Sequence, residues 1–501
     1  MRVSNKVLLV FFAGVMLFGC DDDNKDNDDK STNVEEETTT DNKTFSLSTT
    51  VPDTYEFSTR FDSGKVGDVE YDFDQQKSTV SYSGQIFRHL LISDLKDYIG
   101  TLTTGSATDP SVINAELNRY YSEKSVGDDD TQGRTEITHG YDAEQTRYEQ
   151  ISANKNLKAK IYGEGGDYYN AINAHPDNSK AVLGWGDNTQ SADAIIQVWF
   201  ETIANNAGPS ATKSGSDKAY VTNQGLDLQQ LTQKFLLGAV TYSQAADKYL
   251  DGDLAEGAND TPKVKNGVAS AYTNMEHSWD EGFGYFGAAR NYGLITDTDI
   301  KENANTDIDG SGTLDLTAEY SFGHSQNAAK RDLGSSEIAK TDYSQGAMNA
   351  FLTGRSLIST GADLADIKAQ RDIALANWEK AIASTVVHYL NELINDDYGL
   401  TEAELDEANL AKHWAEMKGF ALALQFNPFK KITDEQLINF HAKVGNAPVI
   451  DGDDFNGTAE KGTYLQAGIS ADRDEYITAL SEARDILGSA YAFDAVNITG
   501  W

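Results

Sequence analysis

The chain has 501 residues, 39% of them hydrophobic and 10% aromatic, which is enough apolar material for one large domain or two moderate ones and excludes disorder over most of its length. Asp and Glu total 79 against 41 Lys and Arg, a formal charge of -38. That excess repels nucleic-acid backbones and anionic lipid headgroups, so nucleic acid is excluded as a partner; it suits a surface kept soluble in salty surroundings and also a cation-binding protein.

Residues 1–20, MRVSNKVLLVFFAGVMLFGC, combine a basic start with an apolar run over 7–18, too short to span a bilayer as a stable helix. They read as a secretory signal peptide. Leu17-Phe18-Gly19-Cys20 resembles a bacterial lipobox, and Cys20 is the only cysteine, so it has no internal disulfide partner. Acylation of Cys20, palmitate included, is therefore expected, with the membrane as partner through the lipid anchor. Residues 21–53 are rich in Asp, Glu, Asn and Thr with little to bury, and are expected to form a disordered acidic tether. Asp21 and Asp22 are compatible with retention at the inner membrane and with export to the cell surface, so the sequence fixes a cell-envelope location but no leaflet.

Residues 54–80 are polar, aromatic and turn-rich, and predict loops with a small strand pair. From residue 84 the pattern changes: Ile86, Leu90, Leu91, Leu95, Tyr98 and Ile99 recur at three- and four-residue spacing, which predicts an amphipathic helix. Similar periods run through AIIQVWFETIAN, DLQQLTQKFLLGAVTYSQAADKYL, QGAMNAFLTGRSLIST, DIKAQRDIALANWEKAIASTVVHYLNELI, LAKHWAEMKGFALALQF and DRDEYITALSEARDILGSAYAF. Only seven prolines interrupt the chain. The fold class is mainly all-α, a helical bundle built as helix-on-helix layers behind a short irregular or β segment. Residues 54–501 form the helical domain, with possible related halves at about 54–300 and 320–501.

The stretch NMEHSWDEGFGYFG, residues 274–287, is the densest in chemistry. A helix over 273–290 places Trp279, Phe283, Phe286 and Arg290 on one stripe and His277, Asp280, Glu281 and Gly284 opposite. A histidine followed by acids three and four residues later can offer one cation a nitrogen and oxygens from a single helix; a solvated polar face shows the same spacing. No HExxH is present. KHWAEMKGFALALQF repeats the theme with His413, Trp414 and Glu416. If both faces point inward, His277, Asp280, Glu281, His413 and Glu416 assemble a transition-metal site for iron or zinc.

NTDIDGSGTLDLTAEY follows a calcium loop through its ninth position: Asp307, Asp309, Ser311, a turn at Gly312, the Thr313 carbonyl and Asp315. The twelfth position is Ala318, with Glu319 one residue late. Calcium is the expected cofactor here, stiffening a linker between the halves; an ion-free Asp- and Gly-rich turn is the alternative. His324, just beyond, reads as an ordinary residue at a helix start.

KFLLGAVTYSQAADKYL, EHSWDEGFGYFG, HWAEMKGFALALQFNP and ARDILGSAYAF together resemble the DUF4856 family of bacterial envelope lipoproteins, from about Tyr55 to the C-terminus. More distantly the layout is similar to imelysin-like proteins, helical envelope proteins linked to iron uptake and once classed as peptidases. Their GxHxxE mark is matched only as HxxD or HxxE, with Met275 and Ala411 standing where glycine belongs. The resemblance implies a lipid-anchored envelope protein that binds a ligand, iron or another metal among the candidates, with metal-uptake components as partners. A metal-dependent hydrolase and a structural or carbohydrate-interacting lipoprotein are the alternatives. No GxSxG or other nucleophile signature supports catalysis.

Overall fold

The computed structural model describes residues 57, 59–73, 78–123, 136–138, 142–163, 181–211, 217–304, 307, 310–399, 406–448 and 473–501. The expected signal peptide with Cys20, the tether and Asp309 lie outside the described residues. Among the described residues there are thirteen α-helices and two small antiparallel hairpins.

The first hairpin pairs β1 (Ser63–Val66) with β2 (Val69–Asp72), in the region expected to hold a strand pair. Then come α1 (Ser83–Gly100), α2 (Pro110–Tyr121), α3 (Ala192–Ala207) and α4 (Leu228–Leu236). The period that predicted one helix through residue 250 does not continue as an α-helix. After α4 the backbone widens into two π-helical stretches, Leu237–Tyr242 and Gln244–Gly252. The second hairpin, β3 (Pro262–Lys265) and β4 (Val268–Thr273), turns at Asn266 and Gly267 with φ of 53° and 76°, a conformation that suits an Asn-Gly pair.

β4 runs directly into α5 (Asn274–Phe286). Thr273 caps its start by accepting from the Glu276 N–H, and the Glu276 carboxylate reaches back to the Thr273 N–H. Gly287, at φ 84°, ends it three residues before Arg290, so Arg290 is not part of the helical stripe. The expected separation of a polar from an apolar face is also corrected. Asp280 and Gly284 are as buried as Trp279, because α1, the helix at Tyr343–Thr360 and the second π-helix enclose α5 from several sides.

The remainder is α6 (Asp297–Glu302), α7 (Gly323–Asp332), α8 (Tyr343–Thr360), α9 (Leu364–Asn391), α10 (Glu407–Ala423), α11 (Asp434–Val444), α12 (Arg473–Tyr491) and α13 (Ala495–Gly500), with a third π-helical stretch at Glu392–Asp397. With 28 residues α9 is about 42 Å long and serves as the strut against which α7, α8, α10 and α12 pack. α10 lies close against α4: a Cβ at Gly419 would stand 2.6 Å from Lys234 Cβ, and one at Gly238 would stand 2.5 Å from Ala423 Cβ. One continuous buried cluster runs from Phe57 to Trp501, so residues of both expected halves share a single core.

Candidate functional site

α1 is buried on most of its surface yet carries polar groups along one face: His89, Ser93, Lys96 and Asp97, at steps of four, three and one residues. That face borders a half-enclosed cavity of about 60 Å³, room for roughly four waters. Gln233 and Lys234 from α4, Leu237 from the first π-helix, Gln326 and Asn327 from α7, and the rings of Phe322 and Phe420 complete the wall. The α-to-π transition falls at this wall, and π-helical segments recur at functional sites because they displace side chains from the regular register.

His89 sets Nε2 3.2 Å from the Tyr285 carbonyl and stacks on Phe322 at 5.2 Å. A carbonyl only accepts, so Nε2 carries the proton and Nδ1 of the neutral ring holds a lone pair. Burial lowers its pKa to about 4. His324 lies behind the cavity wall, its ring 5.6 Å from Trp378, 6.1 Å from Tyr242 and 6.1 Å from Phe420. It is fully buried, neither ring nitrogen has a hydrogen-bond partner, and burial lowers its pKa to about 3. Asp97 Oδ2 and Gln326 Nε2 are likewise buried without partners, and burial pushes Asp97 up to about 6. Each unpartnered polar group costs about 1–3 kcal/mol of stability.

At the base of this region Lys234 lies 3.1 Å from Glu416, both about 1% exposed. The ammonium donates to Gln233 Oε1 at 2.7 Å, whereas neither Glu416 oxygen receives an aligned hydrogen bond, so charge rather than bond geometry holds the pair. Burial acts to raise the Glu416 pKa, but Lys234 and the neighbouring Lys412 and Lys96 outweigh it and keep the carboxylate below its usual range.

The residues expected to share a transition metal are distributed among separate pairings. Asp280 accepts from Arg355 Nε at 2.8 Å, and Glu276 from Arg355 Nη1 at 2.9 Å; burial is the larger influence on Asp280 and pushes it up to about 6. Glu281 accepts from Gln85 Nε2 at 2.9 Å and sits 3.7 Å from His277 Nε2. His413 bonds through Nδ1 to Asp397 at 2.9 Å, and Glu416 faces Lys234. Among the described residues no group of three His, Cys, Asp or Glu side chains is arranged to hold a metal ion, so no three of the five meet at one point.

The calcium-like loop is tightly turned. The Asp307 carboxylate accepts from the backbone N–H of Gly310 (2.8 Å), Ser311 (3.2 Å) and Gly312 (3.0 Å). Ser311 Oγ donates to the Thr313 carbonyl at 2.9 Å, Asp315 accepts from Gln145 and Thr317, and Glu319 accepts from the Asp315 N–H at 2.9 Å. Leu314 pairs with Ala143, which fastens the loop to the segment at 142–144.

His324 is the residue that sequence reasoning passed over. α7 reads GHSQNAAKRD, polar apart from Ala328 and Ala329, and a polar helix normally faces water; here nearly every residue of it is buried. The available signal was a polar decapeptide closely preceded by aromatic residues, with burial to be learned only from the fold.

These features define a helical-bundle protein with a polar cavity at an α-to-π transition. The family described as a domain of unknown function (DUF4856) matches residues 68–444, and the chain belongs to it. The match ends before the ARDILGSAYAF segment. No curated protein and no solved structure matches the chain.

Proposed function

We propose that this protein is a lipid-anchored cell-envelope binding protein that holds a small polar ligand in the cavity between α1, α4 and α7. The observation that carries the reading is the cavity wall, where Asp97 Oδ2 and Gln326 Nε2 are buried without partners, backed by His324, wholly buried with both ring nitrogens unpartnered. Buried polar groups are almost always satisfied, and unsatisfied ones gathered at a concavity are what a ligand site presents when empty-handed side chains await donors and acceptors. Gln326 offers a donor and Asp97 an acceptor.

Binding is favoured over hydrolysis because His89, the imidazole that lines the cavity, is committed to the Tyr285 carbonyl and not to a hydroxyl. Iron or zinc uptake stays among the ligand classes to test, on the strength of two neutral imidazoles near one carboxylate.

The experiment is a melting series on the full chain with separate small sugars, amines, carboxylates, Fe(II) and Zn(II). A bound probe raises the melting temperature by mass action. His324→Leu and Gln326→Leu are expected to abolish that rise, while His324→Leu raises the unliganded stability by about 1–3 kcal/mol by removing the unpaired ring. Equal stabilisation of wild type and both variants by every effective probe would overturn the assignment.

A further inference from the structure

The surface beside α5 reverses the charge of the chain as a whole. Lys155, Lys263 and Lys265 lie close enough to His277 for each to depress its titration, and none of the three forms an ion pair with a described carboxylate. Arg88 lies beside Lys155, a Cβ on Gly84 standing 3.5 Å from its Nη1 and 3.1 Å from Lys155 Cε, and its guanidinium donates to the carbonyls of Asn156 (2.8 Å) and Gly84 (3.0 Å), not to a described acid. The carboxylate set among these cations is Glu281, which accepts from Gln85 and faces His277; Asp253 acts on Lys263 from further out but pairs with Lys248 at 3.4 Å. In a chain with 79 acids and 41 bases, four cations without an acid partner among the described residues are the opposite of what composition distributes at random.

The fold constructs this cluster from separate elements. β3 supplies Lys263 and Lys265 two residues apart, and its hairpin leads directly into α5, which supplies His277. The Lys155 stem crosses the first turn of α1, where a Cβ on Gly84 would lie 3.1 Å from its Cε. That turn has no side-chain cap and no acid, so its positive end also faces the cluster. His277 stacks on Tyr272 at 4.8 Å, and its Nδ1 is buried without a partner. Burial first, and neighbouring cations second for Lys155, lower the pKa of the half-buried ammonium groups, the condition of cations that lack a counter-ion.

We propose that Lys155, Lys263 and Lys265, gathered around His277, with Arg88 beside Lys155, form a binding site for a phosphate-type oxyanion, either free or as the head of a larger molecule. A compact dianion offers acceptors in several directions, matching donors that converge from three elements, and nearly balances four cations already opposed by Glu281. Binding also draws His277 toward its protonated form, which then donates to the anion. The site is separate from the α1–α7 cavity and does not depend on what that cavity holds.

The test titrates the full chain with sodium phosphate at low ionic strength, following the His277 ring proton signals by NMR and heat by calorimetry. Saturable binding with an upward shift of the His277 titration is expected, and Lys263→Gln with Lys265→Gln should weaken it by at least about tenfold, while Lys263→Arg with Lys265→Arg preserves it. His324→Leu should bind phosphate like wild type, so failure here and failure of the cavity are read separately. Glycerol phosphate and vesicles of phosphatidic acid in phosphatidylcholine distinguish a soluble monoester from a lipid head. No shift of the His277 signals up to about 10 mM phosphate, or equal affinity in wild type and the double Gln variant, overturns the proposal. Equal response to chloride and phosphate would do the same, since it marks a diffuse counter-ion atmosphere.

Discussion

Lys418 is wholly buried on α10, and among the described residues its ammonium reaches only neutral acceptors: the Gly445 carbonyl at 2.5 Å and His441 Nδ1 at 3.2 Å. Burial drives its pKa from 10.5 down to about 7. At about 1.4 kcal/mol per pH unit, that fall corresponds to a penalty of about 5 kcal/mol for holding the charged form in the fold. Below pH 7 the folded and unfolded chains both carry the proton, so the penalty is fully present. Between pH 7 and 10.5 the unfolded chain keeps a proton that the folded chain has released, and stability rises with pH by up to about 1.4 kcal/mol per unit.

Lys418→Met removes the penalty but strands the Gly445 carbonyl and the His441 nitrogen, at about 1–3 kcal/mol each. The variant should therefore equal or exceed wild type in stability at pH 7 and fall below it by pH 9, where wild type has regained about 3 kcal/mol. Urea unfolding at pH 7, 8 and 9 measures this, in a window where His441 is neutral in both states and tyrosines are not yet ionising. Parallel stability curves for the two proteins would refute the reasoning, because they would mean that Lys418 binds its proton equally in the folded and unfolded chains.

Two further outcomes concern the loop and the anchor. If the Asp307 loop takes calcium, millimolar Ca²⁺ raises the melting temperature and Asp307→Ala with Asp309→Ala abolishes the rise; an equal rise in the double variant marks the loop as a turn held by its own backbone bonds. Cys20→Ser should move the protein from the membrane fraction to the soluble fraction or leave it unprocessed, and unchanged fractionation would remove the lipid-anchor proposal.

The helices were legible because their burial is periodic: the apolar positions from Ile86 to Ile99 place α1, and those of 364–391 place α9. The π-helical stretches after Leu236 were not, since a residue gained per turn leaves the local spacing of apolar side chains nearly unchanged over so short a run. The Asn-Gly hairpin before α5 carried a turn signal that went unread. The lysine cluster had no local signal, and the polar helix that carries His324 had none for its burial. A polar helix becomes a buried one only through its neighbours, and Arg88, Lys155 and Lys263 are separated by many residues and meet through tertiary packing.

The same limit explains why residues 274–287 resemble a metal site. EHSWDE contains two interleaved pairs at four-residue spacing, Glu276 with Asp280 and His277 with Glu281, set about 100° apart around α5. The first pair turns inward and is satisfied by Arg355, whose third nitrogen donates to Thr79 Oγ1 at 2.7 Å and so ties α5, α8 and the entry to α1 together. The second pair turns toward Gln85 and the unpaired lysines. One short run of acids and a histidine thus divides between a structural clamp and a cationic surface. A metal would have to draw Asp280 away from a buried guanidinium, leaving Arg355 to Glu276 alone, and would enter a neighbourhood already positive. Local spacing cannot distinguish a shared ligand set from two adjacent pairs, because the partner that decides, Arg355, lies 75 residues from Asp280 along the chain.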